Sequence, residues 1–189
     1  MAQQPQQSPQ EVVNEDSEPQ VVRFRMPAPF GTLAMELTDS RVTRVLLNAK
    51  KAKLKAFPSF DEVDEVTEEL EELFGRLSEY FAGVRRRLDL NWDLESTGVT
   101  GLARRIFKET TRIPFGRTRT YREIAIAAGQ PDAYRVVLAT LVDNPLPIVI
   151  PCHRVTTNKS GIGSYVAGKK VKRWLIDMEK RAIKERTVG

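Results

Sequence analysis

Asn144-Pro145-Leu146-Pro147-Ile148-Val149-Ile150-Pro151-Cys152-His153-Arg154-Val155 sets the only cysteine of this 189-residue chain directly before its only histidine. A thiolate is a strong nucleophile, and an imidazole within reach can take its proton. Pro145, Pro147 and Pro151 stiffen the approach to the pair, and the Ile148-Val149-Ile150 run reads as a short buried strand. A nucleophile at the rigid end of a buried element is well placed for chemistry. A small buried cysteine beside a surface histidine would use the same two residue types, so the pair alone leaves both readings open.

The flanking sequence reads as helices. Thr120-Tyr121-Arg122-Glu123 is a capping box that opens a helix stopping at Gly129. Pro131 suits the first turn of a further helix through Tyr134, Arg135, Val136, Leu138 and Leu141 to Asp143. Two short helices joined around Gly129-Gln130 form a helix-turn-helix pattern, which many helix pairs that never touch DNA also satisfy. Leu102 to Ile113 predicts a basic amphipathic helix closed by Pro114-Phe115-Gly116. About Lys169 to Ile183 predicts a last helix, with Val171, Trp174, Leu175, Met178 and Ala182 along one stripe. Glu179 lies one turn beyond Leu175, near that apolar face. A carboxylate there either snorkels to solvent or partners a buried histidine.

The first half of the chain is of a different kind. Residues 1–20 hold six glutamines, three prolines, four acids and no Lys or Arg. Such a segment cannot bury enough apolar surface to offset its ordering entropy, so a disordered tail is expected. Val21 to Met26, Thr32 to Leu37 and Val42 to Leu47 predict strands, with Gly31 and Asp39-Ser40 at turns. Ser59-Phe60-Asp61-Glu62 predicts a capping box, followed by apolar residues at 63, 66, 70, 73, 77 and 80 and a stop at Gly83. The expected organisation is a small α/β domain at residues 21–90, of mostly antiparallel strands plus a helix. A linker at 91–99 and a mainly helical domain at 100–189 with the helix-turn-helix follow.

Hydrophobic residues make up 41% of the chain, enough for a core. One cysteine excludes an intramolecular disulfide and a cysteine-rich zinc site. No apolar run approaches membrane-spanning length, and the N-terminus lacks a signal peptide's basic and apolar segments. A soluble intracellular protein is expected, cytoplasmic, nucleoid-associated or nuclear, with no sign of an obligate oligomer. Residues 1–100 carry 12 Lys+Arg against 18 Asp+Glu, and residues 101–189 carry 18 against 7, so the net +5 combines −6 with +11. A concentrated basic half that holds the nucleophile suggests a polyanion, with nucleic acid favoured, although a solvated basic surface fits the charge equally.

The Pro151-Cys152-His153-Arg154-Val155 core, with Asn144-Pro145 eight residues before the cysteine, resembles the active-site signature of the O6-alkylguanine-DNA alkyltransferases. The resemblance covers roughly residues 100–183 well and residues 21–90 in general layout. It implies an α/β fold whose C-terminal domain is winged-helix-like, and DNA repair by single-turnover transfer of an alkyl group to Cys152. His153 and Glu179 would activate the thiol through a water, and the Asn144 amide would tie neighbouring turns. Tyr121 would crowd the target phosphate and help rotate the nucleotide outward, and Arg135 would replace the extruded base in the stack. The implied DNA contacts are Tyr121, Arg122, Gln130, Arg135 and Asn158. The implied alkyl pocket is lined by Tyr121, Leu141, Pro147, Val155, Tyr165, Val166 and Ala167. The partner would be double-stranded DNA containing O6-alkylguanine, met by a monomer without a membrane, a cofactor or a metal. The N-terminal zinc site of some relatives lacks its ligands here.

The sequence also departs from the family pattern. Leu138 and Ala139 stand where small glycines often follow the arginine, Val166 and Ala167 replace a common small-polar and glycine pair, and Gly101 stands in place of an aromatic. A narrowed pocket wall that favours methyl over benzyl-sized groups is therefore expected. The competing readings are a non-enzymatic lesion-recognition protein, a helix-turn-helix regulator with a structural Cys152, and a Cys-His hydrolase. Cys152 speaks against the first, and the absence of a third orienting residue in a protease pattern against the last.

Overall fold

Alternating apolar residues fold the first half of the chain into a three-stranded antiparallel meander in the order β1 (Val21–Ala28), β2 (Gly31–Thr38), β3 (Arg41–Leu47). The computed structural model describes residues 18–60, 63, 67–157 and 161–187. Phe24, Met26, Leu33, Met35, Val45 and Leu47 are buried, which fixes the register because a one-residue slip would turn this set to solvent, and an irregularity at Glu36/Leu37 brings buried Val42 opposite Leu37. Asp39 and Ser40 join β2 to β3 with both φ angles positive, 49° and 61°, as a type I′ hairpin requires. A single turn, α1 (Lys51–Leu54), leaves the sheet.

The next helix starts later than its capping signal suggests. Helix α2 (Glu68–Phe81) is capped by Thr67, whose hydroxyl accepts from the Leu70 N–H at 3.3 Å. Asp61 and Glu62 of the expected box lie outside the described residues. Ser59 instead bridges to Arg25 of β1, and the Phe60 ring packs edge-on to Phe24 at 5.6 Å and against Phe74 of α2 at 4.6 Å. Aromatic burial therefore holds this segment on the sheet, and the helix begins beyond it.

The second half is mainly helical: α3 (Gly101–Thr111), α4 (Tyr121–Ala127), α5 (Tyr134–Val142) and α6 (Lys169–Thr187). Two-residue strands β4 (Arg119–Thr120) and β5 (Val155–Thr156) pair in parallel and clip the start of α4 to the segment after Cys152. Thr120 and Glu123 form the expected capping box, at 3.1 and 2.6 Å. Gly129 (φ +75°) ends α4: its N–H bonds Ile126 O at 3.0 Å and the Gln130 N–H bonds Ala125 O at 2.9 Å, a Schellman motif. Pro131 lies in the turn before α5 rather than in its first helical turn.

Ile148-Val149-Ile150 is a turn, not the strand its composition suggests. Pro147 and Ile150 form an isolated bridge, the Ile150 N–H bonds Leu146 O at 2.8 Å, and Ile148 sits at φ +77°. Pro145, Pro147 and Pro151 have no N–H to give a ladder, so the segment coils on itself and buries Ile148 and Ile150. A left-handed β-branched residue is strained, and only surrounding packing can hold it.

One continuous apolar cluster runs from Phe24 to Ala182 across both halves. Phe30, before β2, meets Phe81 of α2 at 5.4 Å and Trp174 of α6 at 5.6 Å. The Val45 N–H of β3 bonds Pro145 O at 2.9 Å, tying the sheet to the turn that leads into Cys152. No helix among the described residues is long and apolar enough to cross a membrane.

Candidate active site

Cys152 and His153 lie in a 3₁₀ turn (Cys152–Arg154) and are 2% and 0% exposed. Asn144, at the end of α5, reaches this turn: its Nδ2 donates to Ile150 O at 3.0 Å and to Cys152 Sγ at 3.0 Å, while its Oδ1 accepts the Leu146 N–H at 3.0 Å. One buried amide thus joins the α5 terminus, the strained Ile148 turn and the thiol. The Cys152 thiol is pushed up to about 11 by burial, against the opposing pull of the Asn144 hydrogen bond and the Lys172 charge.

Glu179 projects from α6 into the same site and is 1% exposed. Its Oε1 accepts from His153 Nε2 at 2.8 Å, Tyr80 Oη at 2.7 Å and Arg154 Nη2 at 2.8 Å. Its Oε2 accepts from the Gly116 N–H at 2.8 Å and Arg154 Nε at 3.1 Å. Burial alone would raise this carboxyl, but His153 and Arg154 outweigh it and hold the group at about 2. Glu179 is therefore ionised and accepts only, so Nε2 of His153 carries the proton and Nδ1 is the free acceptor. Nδ1 is buried and has no hydrogen-bond partner among the described residues. Burial lowers the His153 pKa, with Glu179 pulling the other way, and keeps the ring neutral. Gly116 makes the contact to Oε2 possible, because at φ +71° a Cβ there would lie 2.1 Å from Ile183 Cδ1 and 3.4 Å from Glu179 O.

A second buried cation lies beside the thiol. Lys172, 0% exposed, donates from Nζ to Val155 O at 2.5 Å, Ser164 O at 2.9 Å and Tyr121 Oη at 3.3 Å. Burial lowers this ammonium to about 8, although a thiolate at Cys152 would favour it. Gly163, at φ +75°, lets the following loop lie on the Tyr121 ring, since a Cβ would come within 2.7 Å of its oxygen.

The structure brings two hydrogen-bonded pairs together at one turn, Asn144 with Cys152 and the adjacent His153 with Glu179, with Tyr121 bonded to Lys172 and the Tyr165 ring 6.3 Å from His153. Leu141, Pro147 and Val155 are buried, Ala167 is half-buried and Val166 is 44% exposed. Arg122, Gln130 and Arg135 are exposed on the helix-turn-helix, and Asn158 lies outside the described residues. Arg135 Nε rests on the hydroxyl of Tyr134 at 3.2 Å. Three members were not legible beforehand. Tyr80 reads as one more apolar position of its helix, and nothing in the sequence around Arg154 gives it a partner. Lys172 carried a usable signal, because it precedes Glu179 by seven residues and so shares its face of α6.

Fold and site together define an α/β protein that sets a buried cysteine–histidine–glutamate cluster beside a helix-turn-helix. Residues 101–181 match the family described as 6-O-methylguanine DNA methyltransferase, DNA binding domain. The constitutive methylated-DNA–protein-cysteine methyltransferase of Bacillus subtilis is 34% identical over 169 residues, covering 84% of this chain and 94% of that one. The methylated-DNA–protein-cysteine methyltransferase of Mycobacterium tuberculosis is 38% identical over 153 residues, covering 81% and 88%. The structure of Mycobacterium tuberculosis OGT in complex with DNA superposes with a TM-score of 0.72 at 29% identity, covering 85% and 93%. The chain belongs to the methylated-DNA–protein-cysteine methyltransferase family.

Proposed function

We propose that this protein repairs DNA by moving the alkyl group of O6-alkylguanine onto Cys152, once per molecule. The observation that supports this most directly is the Asn144–Cys152 contact beside a neutral His153 whose Nε2 proton is committed to Glu179. Sγ attacks the alkyl carbon, the carbon–oxygen bond breaks with its electrons going to guanine O6, and the thiol proton passes to His153 Nδ1, directly or through a water; the guanine anion so formed takes up a proton from solvent and the imidazolium gives its own back. Glu179, held at about 2, does not take that proton; it steadies the imidazolium as it forms. Asn144 holds the sulfur in place. The product is a thioether that no residue here can cleave.

The substrate is double-stranded DNA, whose damaged base must leave the stack at a cost of roughly a few kcal/mol. Arg135 would fill the gap, with Tyr121 turning the phosphate and Arg122, Gln130 and Asn158 contacting the strands. Tyr134 and Val136, both 47% exposed, flank Arg135 and give α5 the apolar shoulders that minor-groove wedges use. Tyr121, Leu141, Pro147, Val155, Tyr165, Val166 and Ala167 would bound the alkyl pocket, with methyl preferred over benzyl. Residues 21–90 would act as a supporting domain and 100–189 as the DNA-binding and acceptor domain, joined by 91–99. Its working place would be wherever DNA is kept, nucleoid or nucleus, and it would act as a monomer.

Intact-protein mass spectrometry after mixing with an O6-methylguanine duplex tests the proposal. One added methyl at one-to-one stoichiometry, mapped to Cys152 and lost in Cys152→Ala, is the expected result. DNA binding without any mass gain would instead make the protein a lesion-recognition module.

A further inference from the structure

Tyr80 comes from α2, 99 residues before Glu179 in sequence, and its side chain is 1% exposed. Its ring packs edge-on to Phe81 at 5.6 Å and Phe115 at 5.8 Å, a role phenylalanine would fill as well. Its hydroxyl points elsewhere: it lies 2.7 Å from Glu179 Oε1 and 3.5 Å from His153 Nε2. A phenol has one proton. The shorter distance and the negative charge commit that proton to Glu179, so Tyr80 cannot also donate to His153.

We propose that Tyr80 is a positioning residue for the reaction at Cys152, whose hydroxyl fixes the Glu179 carboxylate and thereby the orientation and basicity of His153. The proposal rests on the alkyl-transfer reading above. Glu179 Oε1 is shared by donors from three residues, Tyr80, His153 and Arg154, and each one that carries part of its charge leaves less to stabilise a protonated imidazole. His153 is faced by Glu179 and Lys172 from α6, by Tyr80 from α2 and by Tyr165 from the loop before α6. Arg154 and Cys152 stand beside it in its own turn. Of these, Tyr80 is the neutral donor that meets both members of the histidine–carboxylate pair. Through it the first half of the chain, which holds no cysteine, takes part in the chemistry of the second.

Removing the hydroxyl leaves more of the Glu179 charge on His153, so the imidazolium is favoured and the base is lost at higher pH. In Tyr80→Phe the acid limb of the single-turnover rate should therefore move upward. The expected loss is about tenfold at pH 6 and smaller at pH 8, a fraction of the roughly 10²–10⁴-fold a general base supplies. Because the chain has one histidine, its imidazole resonances report on His153 alone and need no DNA. Their titration midpoint should also rise in Tyr80→Phe. An unchanged pH–rate profile together with an unchanged titration overturns the proposal and leaves Tyr80 a core residue. If the wild-type protein transfers no alkyl group, the functional reading fails, while the histidine titration still decides the role of Tyr80.

Discussion

At Cys152, burial and hydrogen bonding pull in opposite directions, and burial prevails. The Asn144 amide and the Lys172 charge favour the thiolate, yet desolvation leaves the group at about 11. The resting nucleophile is therefore a thiol. A group about two units above a free cysteine holds about a hundredfold less thiolate at neutral pH. Iodoacetamide should accordingly label the native chain at least about a hundred times more slowly than the urea-unfolded chain, since the thiolate reacts. Mass spectrometry over a labelling time course measures this. Equal rates would mean that the free protein exposes an activated cysteine. Slow labelling would mean that reactivity depends on what enters the site, because an alkylated base seated against Cys152 would bring its electrophilic carbon to a sulfur whose proton acceptor, His153, stands in the same turn.

Among the elements, the helix-turn-helix and the Pro114-Phe115-Gly116 turn divide the work. The capping box at Thr120 and the Schellman turn at Gly129 fix α4 from both ends, which sets where α5 begins and where Arg135 stands. Arg135 is exposed and bonds only to its neighbour Tyr134 among the described contacts, so truncating it should not disturb the core. Arg135→Ala should slow repair in duplex DNA more than transfer from the free alkylated base. Single-turnover rates on both substrates decide this, and an equal loss on the two would make Arg135 a structural residue. The Pro114-Phe115-Gly116 turn carries a different burden, since the Gly116 N–H holds Glu179 Oε2. Gly116→Ala adds a left-handed alanine and a clash with Ile183, so it should lower stability by about 1–3 kcal/mol. Transfer should slow with it, and urea unfolding reads the first effect.

For the whole molecule, the buried network makes stability depend on acid. Glu179 is held at about 2 in the folded state against 4.5 ordinarily, so the unfolded chain binds more protons between those values. Its contribution, on the order of 3 kcal/mol, is present above about pH 4.5 and is lost as pH falls towards about 2. His153 acts in the same direction earlier, because burial lowers its pKa and the unfolded chain takes its proton first. Thermal stability should therefore fall below about pH 6.5 and again below about pH 4.5. Glu179→Gln should flatten the lower step. It should also cost roughly 3–5 kcal/mol at neutral pH, because Arg154 is left buried without its partner. A variant with the full acid dependence of wild type would show that other carboxylates govern it.

The sequence by itself determined the local elements and the chemistry. The three strands, the helix-turn-helix with its caps, and the stripe of α6 all follow from periodicity and cap residues, which act within a few positions. A lone cysteine beside a lone histidine, and a glutamate on an apolar helix face, already marked groups that the fold brings together. Tertiary structure decided what those groups meet. The prolines that suggested a rigid strand produced a coiled turn instead, because they removed the donors a ladder needs. Tyr80, Arg154, Lys172 and Gly116 joined the site through contacts spanning as many as 99 residues. No periodicity encodes such contacts, since Tyr80 repeats its helix's apolar pattern whether its hydroxyl ends in solvent or on Glu179. The protonation states followed from the same packing: a thiol left neutral and a carboxylate kept charged depend on how much water and how many donors the folded chain leaves around each.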